Sequence, residues 1–203
     1  MISRRDGLGM ALSAPLAKGA APKGRVEEIR IISQQPQFYH AWATMARRRN
    51  GELVASYSGG REAHKCPFGR IEFLRSHDGG RTWSWPLVIM DTPIDDRDSG
   101  IVETPAGSLL ATTFTSIAYE KELEKMQGWD PARVERWLSV NRGTTPEERR
   151  RLVGAWMLRS TDGGVTWSLP YRVPLTAPHG PVVTRDGRLL YAGKEAPGSD
   201  SRR

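Results

Sequence analysis

Titratable and hydrogen-bonding side chains gather in four short runs of this 203-residue chain. They are His40 in Tyr-His-Ala-Trp-Ala, the stretch Ser58-Gly59-Gly60-Arg61-Glu62-Ala63-His64, the cluster Asp95-Asp96-Arg97-Asp98, and His179 in Pro-His-Gly-Pro. Each lies beside an apolar segment, where charge is costly unless it meets water, a counter-ion or a ligand. The chemistry on offer is proton transfer and anion recognition. A histidine such as His64 can transfer a proton with little tuning, and Glu62 can donate one once desolvation raises its pKa. Arg61 and Arg97 carry planar forks that hold a carboxylate through paired hydrogen bonds. Three of the runs also have a plainer reading: Arg61 in a rim salt bridge, Asp95 to Asp98 as a charged turn, His179 as a hydrogen-bonded residue beside a strand.

Other chemistries lack their residues. Cys66 is the single cysteine, so a disulfide framework and a multi-thiolate zinc site are both excluded. His64 with Cys66 makes only two metal ligands, and Cys66 reads better as a small buried hydrophobe. No nucleophile-elbow pattern surrounds Ser160, and Gly59-Gly60 has neither the spacing nor the lysine of a phosphate loop. No metal or cofactor is therefore expected. The formal charge of +7, from 30 Lys and Arg against 23 Asp and Glu, is dispersed. Only Arg47 to Arg49 and Arg149 to Arg151 form basic runs, without interleaved aromatics, so nucleic acid is not the expected partner. No apolar stretch reaches the roughly 20 residues that span a bilayer.

The elements that must position these side chains are repeated. Ser76-His77-Asp78-Gly79-Gly80-Arg81-Thr82-Trp83 and Ser160-Thr161-Asp162-Gly163-Gly164-Val165-Thr166-Trp167 share Ser, Asp, both Gly, Thr and Trp, and each follows an apolar run ending in Leu-Arg. In such an octapeptide the Asp carboxylate accepts hydrogen bonds from its own turn, the glycines supply positive φ, and the Trp has a face to bury. Ser76, Asp78, Gly80, Thr82, Trp83 and their counterparts Ser160, Asp162, Gly164, Thr166, Trp167 are thus structural. A second motif, a Gly turn leading into a short apolar strand, recurs at Gly51, Gly107 and Gly187. The first interval is 56 residues and the second 80. The excess lies in 119–151, where Tyr-Glu-Lys-Glu-Leu and Pro-Ala-Arg-Val-Glu-Arg-Trp-Leu read as helical and Thr145-Pro146-Glu147-Glu148 reads as a helix start. A unit of about 50 residues made of short strands points to a β-propeller blade.

On these boxes and turn-strand units, from about Gln37 onward, the chain resembles the Asp-box, or BNR-repeat, propellers, of which sialidases are the best-known members. The resemblance implies an all-β fold: about two and a half blades of a six-bladed sialidase-type propeller, with a helical insertion in the second blade and further C-terminal blades in the complete protein. It implies a glycoside hydrolase acting on terminal acidic or modified sugars, with a glycan as partner; the alternative is a non-catalytic propeller that binds glycans or proteins. Family members hold the substrate carboxylate with three arginines, protonate the leaving group with an Asp, and attack with a Tyr assisted by a Glu. Arg61 resembles the pocket arginine that follows the first turn-strand unit. Where the acid should follow, this sequence has Glu62 and His64 instead of Asp. His40 stands where the first arginine is expected. Asp96 and Asp98 resemble the second-blade acidic residue that contacts substrate substituents, with Arg97 and His179 as further substrate contacts. At the N-terminus, Arg4-Arg5 precedes an uncharged stretch and then Ala20-Ala21, which resembles a twin-arginine export signal over 1–21. Residues 22–203 would then be the exported propeller portion; without a signal the protein would be cytoplasmic.

Overall fold

The computed structural model describes residues 24–177 and 179–196. The expected export signal over 1–21 lies outside the described residues. The chain divides into two units, Met1–Arg30 and Ile31–Arg203. In the first, Arg30 pairs with Glu28; among the described residues every strand and helix belongs to the second.

Two four-stranded antiparallel meanders dominate. The first contains β1 (Tyr39–Arg47), β2 (Leu53–Arg61), β3 (Arg70–Ser76) and β4 (Leu87–Met90). The second contains β5 (Asp95–Glu103), β6 (Leu109–Ser116), β7 (Gly154–Ser160) and β8 (Tyr171–Val173). Three helices, α1 (Glu120–Leu123), α2 (Pro131–Arg142) and α3 (Pro146–Leu152), stand between β6 and β7. Beyond β8, β9 (Leu175–Thr176) pairs with β12 (Lys194–Glu195), and β10 (Val182–Val183) pairs with β11 (Leu189–Leu190) around the third Gly turn. The sheets do not close into a ring among the described residues.

Period-two alternation explains how the sheets stack. Val54, Ile71, Phe73 and Met90 from the first sheet interdigitate with Ile101, Leu109, Ala111 and Leu158 from the second. Burying each large aliphatic or aromatic side chain contributes about 1.5–3 kcal/mol. The opposite face of the first sheet buries Ala55, Tyr57 and Leu74 against Ile32 and Trp83.

Both boxes lock their turns in the same way. Asp78 accepts from Ser76 Oγ (2.8 Å), Thr82 N (2.9 Å) and Thr82 Oγ1 (2.7 Å). Asp162 accepts from Ser160 Oγ (2.8 Å), Val165 N (3.0 Å), Thr166 N (3.0 Å) and Thr166 Oγ1 (2.5 Å). These bonds hold both carboxyls well below the usual carboxylate range. Trp167 then packs edge-on against Phe73 of the first sheet, with centroids 5.3 Å apart, so the second box also joins the two sheets.

The helices are capped by their own sequence. Asp130 accepts from Arg133 N at 2.9 Å with Pro131 at the start of α2. Thr145 and Glu148 form a reciprocal capping box with Pro146 at the start of α3. The insertion packs on the β2–β3 connection through a core of Cys66, Ile94, Tyr119 and Trp137. No helix among the described residues is long and apolar enough to cross a membrane.

Two irregularities position the site. The β1–β2 register slips between Ala41 and Thr44, where Trp42 has φ 55°, and the β5–β6 register slips between Arg97 and Gly100, where Asp98 has φ 27°. Both are bulges, which bend a strand and re-aim a side chain. Positive φ at a non-glycine residue costs of order 1–3 kcal/mol and persists only where surrounding structure enforces it. Trp42 and Asp98 are 56 residues apart, as are the glycines of the first two Gly turns, so the strain sits at the same place in two repeats.

Candidate functional site

The two bulges and the β2–β3 connection meet around Trp42. Arg61 leaves β2 fully buried. Its Nη1 and Nη2 hold the two Asp95 oxygens at 2.7 and 3.1 Å. It also donates to Ser58 Oγ (2.7 Å), to the His64 carbonyl (2.7 Å) and, at greater length, to the Ala63 and Asp96 carbonyls (both 3.3 Å). A Cβ at Gly69 would collide with this pair, so glycine there is what lets Arg61 and Asp95 meet.

Arg97 adds a bond from Nη1 to Asp95 Oδ2 (3.2 Å) and another to the His64 carbonyl (3.1 Å). The Trp42 ring lies 4.9 Å from the Arg61 guanidinium and 4.6 Å from that of Arg97, a favourable arrangement of cation and ring quadrupole. His64 packs edge-on to Trp42 with centroids 5.0 Å apart, and Phe114 lies 5.9 Å from Arg97.

Asp98 follows on the bulge. Its Oδ1 is buried without a hydrogen-bond partner. The residue lines a cavity of about 480 Å³ together with Phe114, Ser116, Gly154, Thr176 and Lys194. Burial raises its carboxyl pKa, opposed by the positive fields of Arg97 and His179. His179 Nδ1 lies 2.8 Å from Thr44 Oγ1 of β1. The arrangement therefore offers a carboxyl that holds its proton more tightly than usual, an acceptor atom without a donor, and the positive fields of Arg97 and His179 acting on it, the combination expected of a proton-transfer site.

Of the residues singled out from the sequence, Arg61, His64, Arg97, Asp98 and His179 converge here. Three are placed elsewhere. His40 Nε2 lies 3.1 Å from the Gln35 carbonyl, and its ring packs against Tyr57 at 5.3 Å. Glu62 turns to the insertion, accepting from Arg136 Nε and Trp137 Nε1, each at 2.9 Å, with Arg133 at 3.4 Å. Burial would raise its pKa, but the bonds from Arg136 and Trp137 prevail and lower it. That is the reverse of what proton donation by Glu62 requires. Asp96 is fully buried and accepts from Thr92 N (2.7 Å) and Oγ1 (2.6 Å). Burial, resisted by these bonds, pushes its carboxyl up to about 8. Arg61 points at Asp95 rather than into the cavity. Trp42 and Phe114 are site residues that sequence reasoning passed over; the 56-residue match of Trp42 to Asp98 was the available signal.

Comparison with protein-family models identifies a BNR/Asp-box repeat at residues 158–169. Comparison with curated protein sequences finds no match. Among solved structures, a protein of unknown function from Dyadobacter fermentans is similar at TM-score 0.55 and 19% identity, over 79% of this chain and 48% of that one. The Hadza microbial sialidase Hz136 is similar at TM-score 0.54 and 16% identity, over 75% and 31%. The NanB sialidase from Streptococcus pneumoniae is similar at TM-score 0.52 and 12% identity, over 77% and 41%. The chain carries a BNR/Asp-box repeat, and its fold is similar to that of these sialidases. It spans between 31% and 48% of the length of these structures.

Proposed function

We propose that this chain forms the first blades of an exported sialidase-like glycoside hydrolase that acts on terminal sugars, its sheets belonging to a six-bladed ring. The observation that carries this reading is Asp98: a strained bulge residue with an unpartnered buried oxygen, a raised pKa and a cavity before it. In the proposed reaction the Asp98 carboxyl donates its proton to the glycosidic oxygen as the bond to the leaving group breaks. Arg97, fixed by Asp95 and Trp42, orients the sugar, and His179 and Lys194 bond its hydroxyls. His64 braces Trp42. The attacking group comes from blades outside this chain. Glu62 and Asp96 act as structural groups in this assignment, and Arg61 anchors Asp95.

The test is turnover of a panel of aryl glycosides, an aryl sialoside and neutral sugars included, by the longest natural form of the protein. Asp98→Asn is expected to lower kcat by about 10²-fold or more, with the melting temperature of the folded protein retained. Unchanged turnover would remove Asp98 from the chemistry.

A second reading, a non-catalytic glycan-binding propeller, is favoured by one observation: Asp95 neutralises Arg61, the residue that resembles the family's pocket arginine. Glycan binding without turnover of any glycoside in the panel would decide for it. Export is tested by locating the protein in cell fractions with Arg4 and Arg5 intact or both changed to Lys.

A further inference from the structure

Where the helical insertion meets the β2–β3 connection, the two enclose a cavity of about 250 Å³. Its wall carries His64 and Lys65 from that connection and Glu122, Trp129, Arg133 and Trp137 from the insertion. At about 30 Å³ per liquid water, the space equals about eight waters, room for a small organic molecule. It shares no lining residue with the cavity before Asp98, so what it binds is independent of the glycosidase reading.

Charge in this wall is unbalanced. Lys65 and Arg133 share the lining with a single anion, Glu122, so with His64 neutral it sums to +1. Glu122 accepts from Lys65 Nζ at 3.2 Å. Arg133 is left to Glu62, which lies outside the lining and is already committed. Glu62 Oε1 accepts from Arg136 Nε and Oε2 from Trp137 Nε1, each at 2.9 Å. Arg133 Nε stands 3.4 Å from Oε2 and is buried without a hydrogen bond. Its Nη1 and Nη2 also make no hydrogen bond among the described residues. The guanidinium is nevertheless fixed: it lies 4.2 Å from the Trp129 centroid and 5.2 Å from that of Trp137. The two indoles meet edge-on at 5.0 Å. An arginine whose face rests on indole keeps its N–H edge open, and that edge matches the two oxygens of a carboxylate.

We propose that this cavity binds a small organic carboxylate. The free edge of Arg133 takes the carboxylate, Lys65 adds a second positive charge, and the Trp129 and Trp137 indoles cover the apolar body of the ligand. The test is calorimetric titration of the full chain with sodium benzoate and with benzyl alcohol, a neutral probe of similar shape, at constant ionic strength. Benzoate is expected to bind about tenfold more tightly than benzyl alcohol. Arg133→Gln should remove that preference, and Arg133→Lys should restore only part of it, because an ammonium has no planar fork. Lys65→Gln should weaken benzoate about threefold, and Asp98→Asn should leave its affinity unchanged. Melting curves report on folding of each variant; if Arg133→Gln does not fold, the Arg133→Lys and Lys65→Gln proteins decide. No benzoate binding at about 10 mM, equal affinity for the two probes, a preference that survives the Arg133 and Lys65 substitutions, or a loss of benzoate binding in the Asp98→Asn protein overturns the site.

Discussion

Buried carboxyls in this protein divide by partner, and the division decides what each can do. Asp95 faces two arginines, Asp96 faces only Thr92, and Asp98 has an oxygen with nothing to accept from. Removing one member of a buried ion pair strands the other charge, so Arg61→Ala should cost about 3–5 kcal/mol, read as a shift in the urea unfolding midpoint. A loss below 1 kcal/mol would mean that Arg61 is not the anchor described here. Asp96 makes a pH prediction. Its folded pKa of about 8 lies above the ordinary 3.8, so the folded state holds the proton more tightly than the unfolded chain. The stability this contributes is complete below about pH 4 and is lost as pH rises toward 8. Asp96→Asn should therefore flatten the stability profile between those limits and gain on the wild type at pH 8; parallel profiles would refute the raised pKa. The charged run 95–98 was readable as a cluster from the sequence. Which member faced a partner and which faced a cavity was not, because the bulge at Asp98 breaks the alternation on which such assignments rest.

At the scale of elements, the Asp boxes were the most readable feature, because every bond that Asp78 and Asp162 accept comes from within four residues. Their unequal importance was not readable. Trp167 closes on Phe73 of the neighbouring sheet, and a Cβ at Gly164 would collide with that Phe73 ring. At Gly80, its counterpart in the first box, an added Cβ would meet nothing nearer than Leu53 at 3.5 Å, an ordinary contact. Gly80→Ala should cost about 1–2 kcal/mol, from positive φ alone. Gly164→Ala should cost clearly more, and equal losses in thermal melts would deny the box its part in joining the sheets. The start of α3 was likewise visible from the sequence, since Thr145, Pro146 and Glu148 make their capping contacts locally. What the insertion does was not visible: Glu62 and Trp137 are 75 residues apart in the chain and bond at 2.9 Å.

At the scale of the whole molecule, protection is expected to be graded. β2, β3, β6 and β7 are paired on both sides and mostly buried, whereas the β10–β11 and β9–β12 ribbons have two strands each and largely exposed side chains. Two-stranded ribbons are marginal in water, so native-state hydrogen exchange should be slowest in the central strands and fastest beyond β8. Uniform protection would mean that the ribbons are covered in solution. By itself the sequence determined the repeating unit, its turn chemistry, the strand-rich class and the place of the helical interruption, because hydrophobic alternation, glycine turns and caps act over a few residues. Tertiary structure alone decided the site. Whether Arg61 binds Asp95 or a ligand, whether Glu62 turns to the cavity or to α2, and that two bulges 56 residues apart set Trp42 against Arg97 all depend on the register and stacking of separate sheets. Those are settled by burial and charge pairing between distant segments, which no local pattern records.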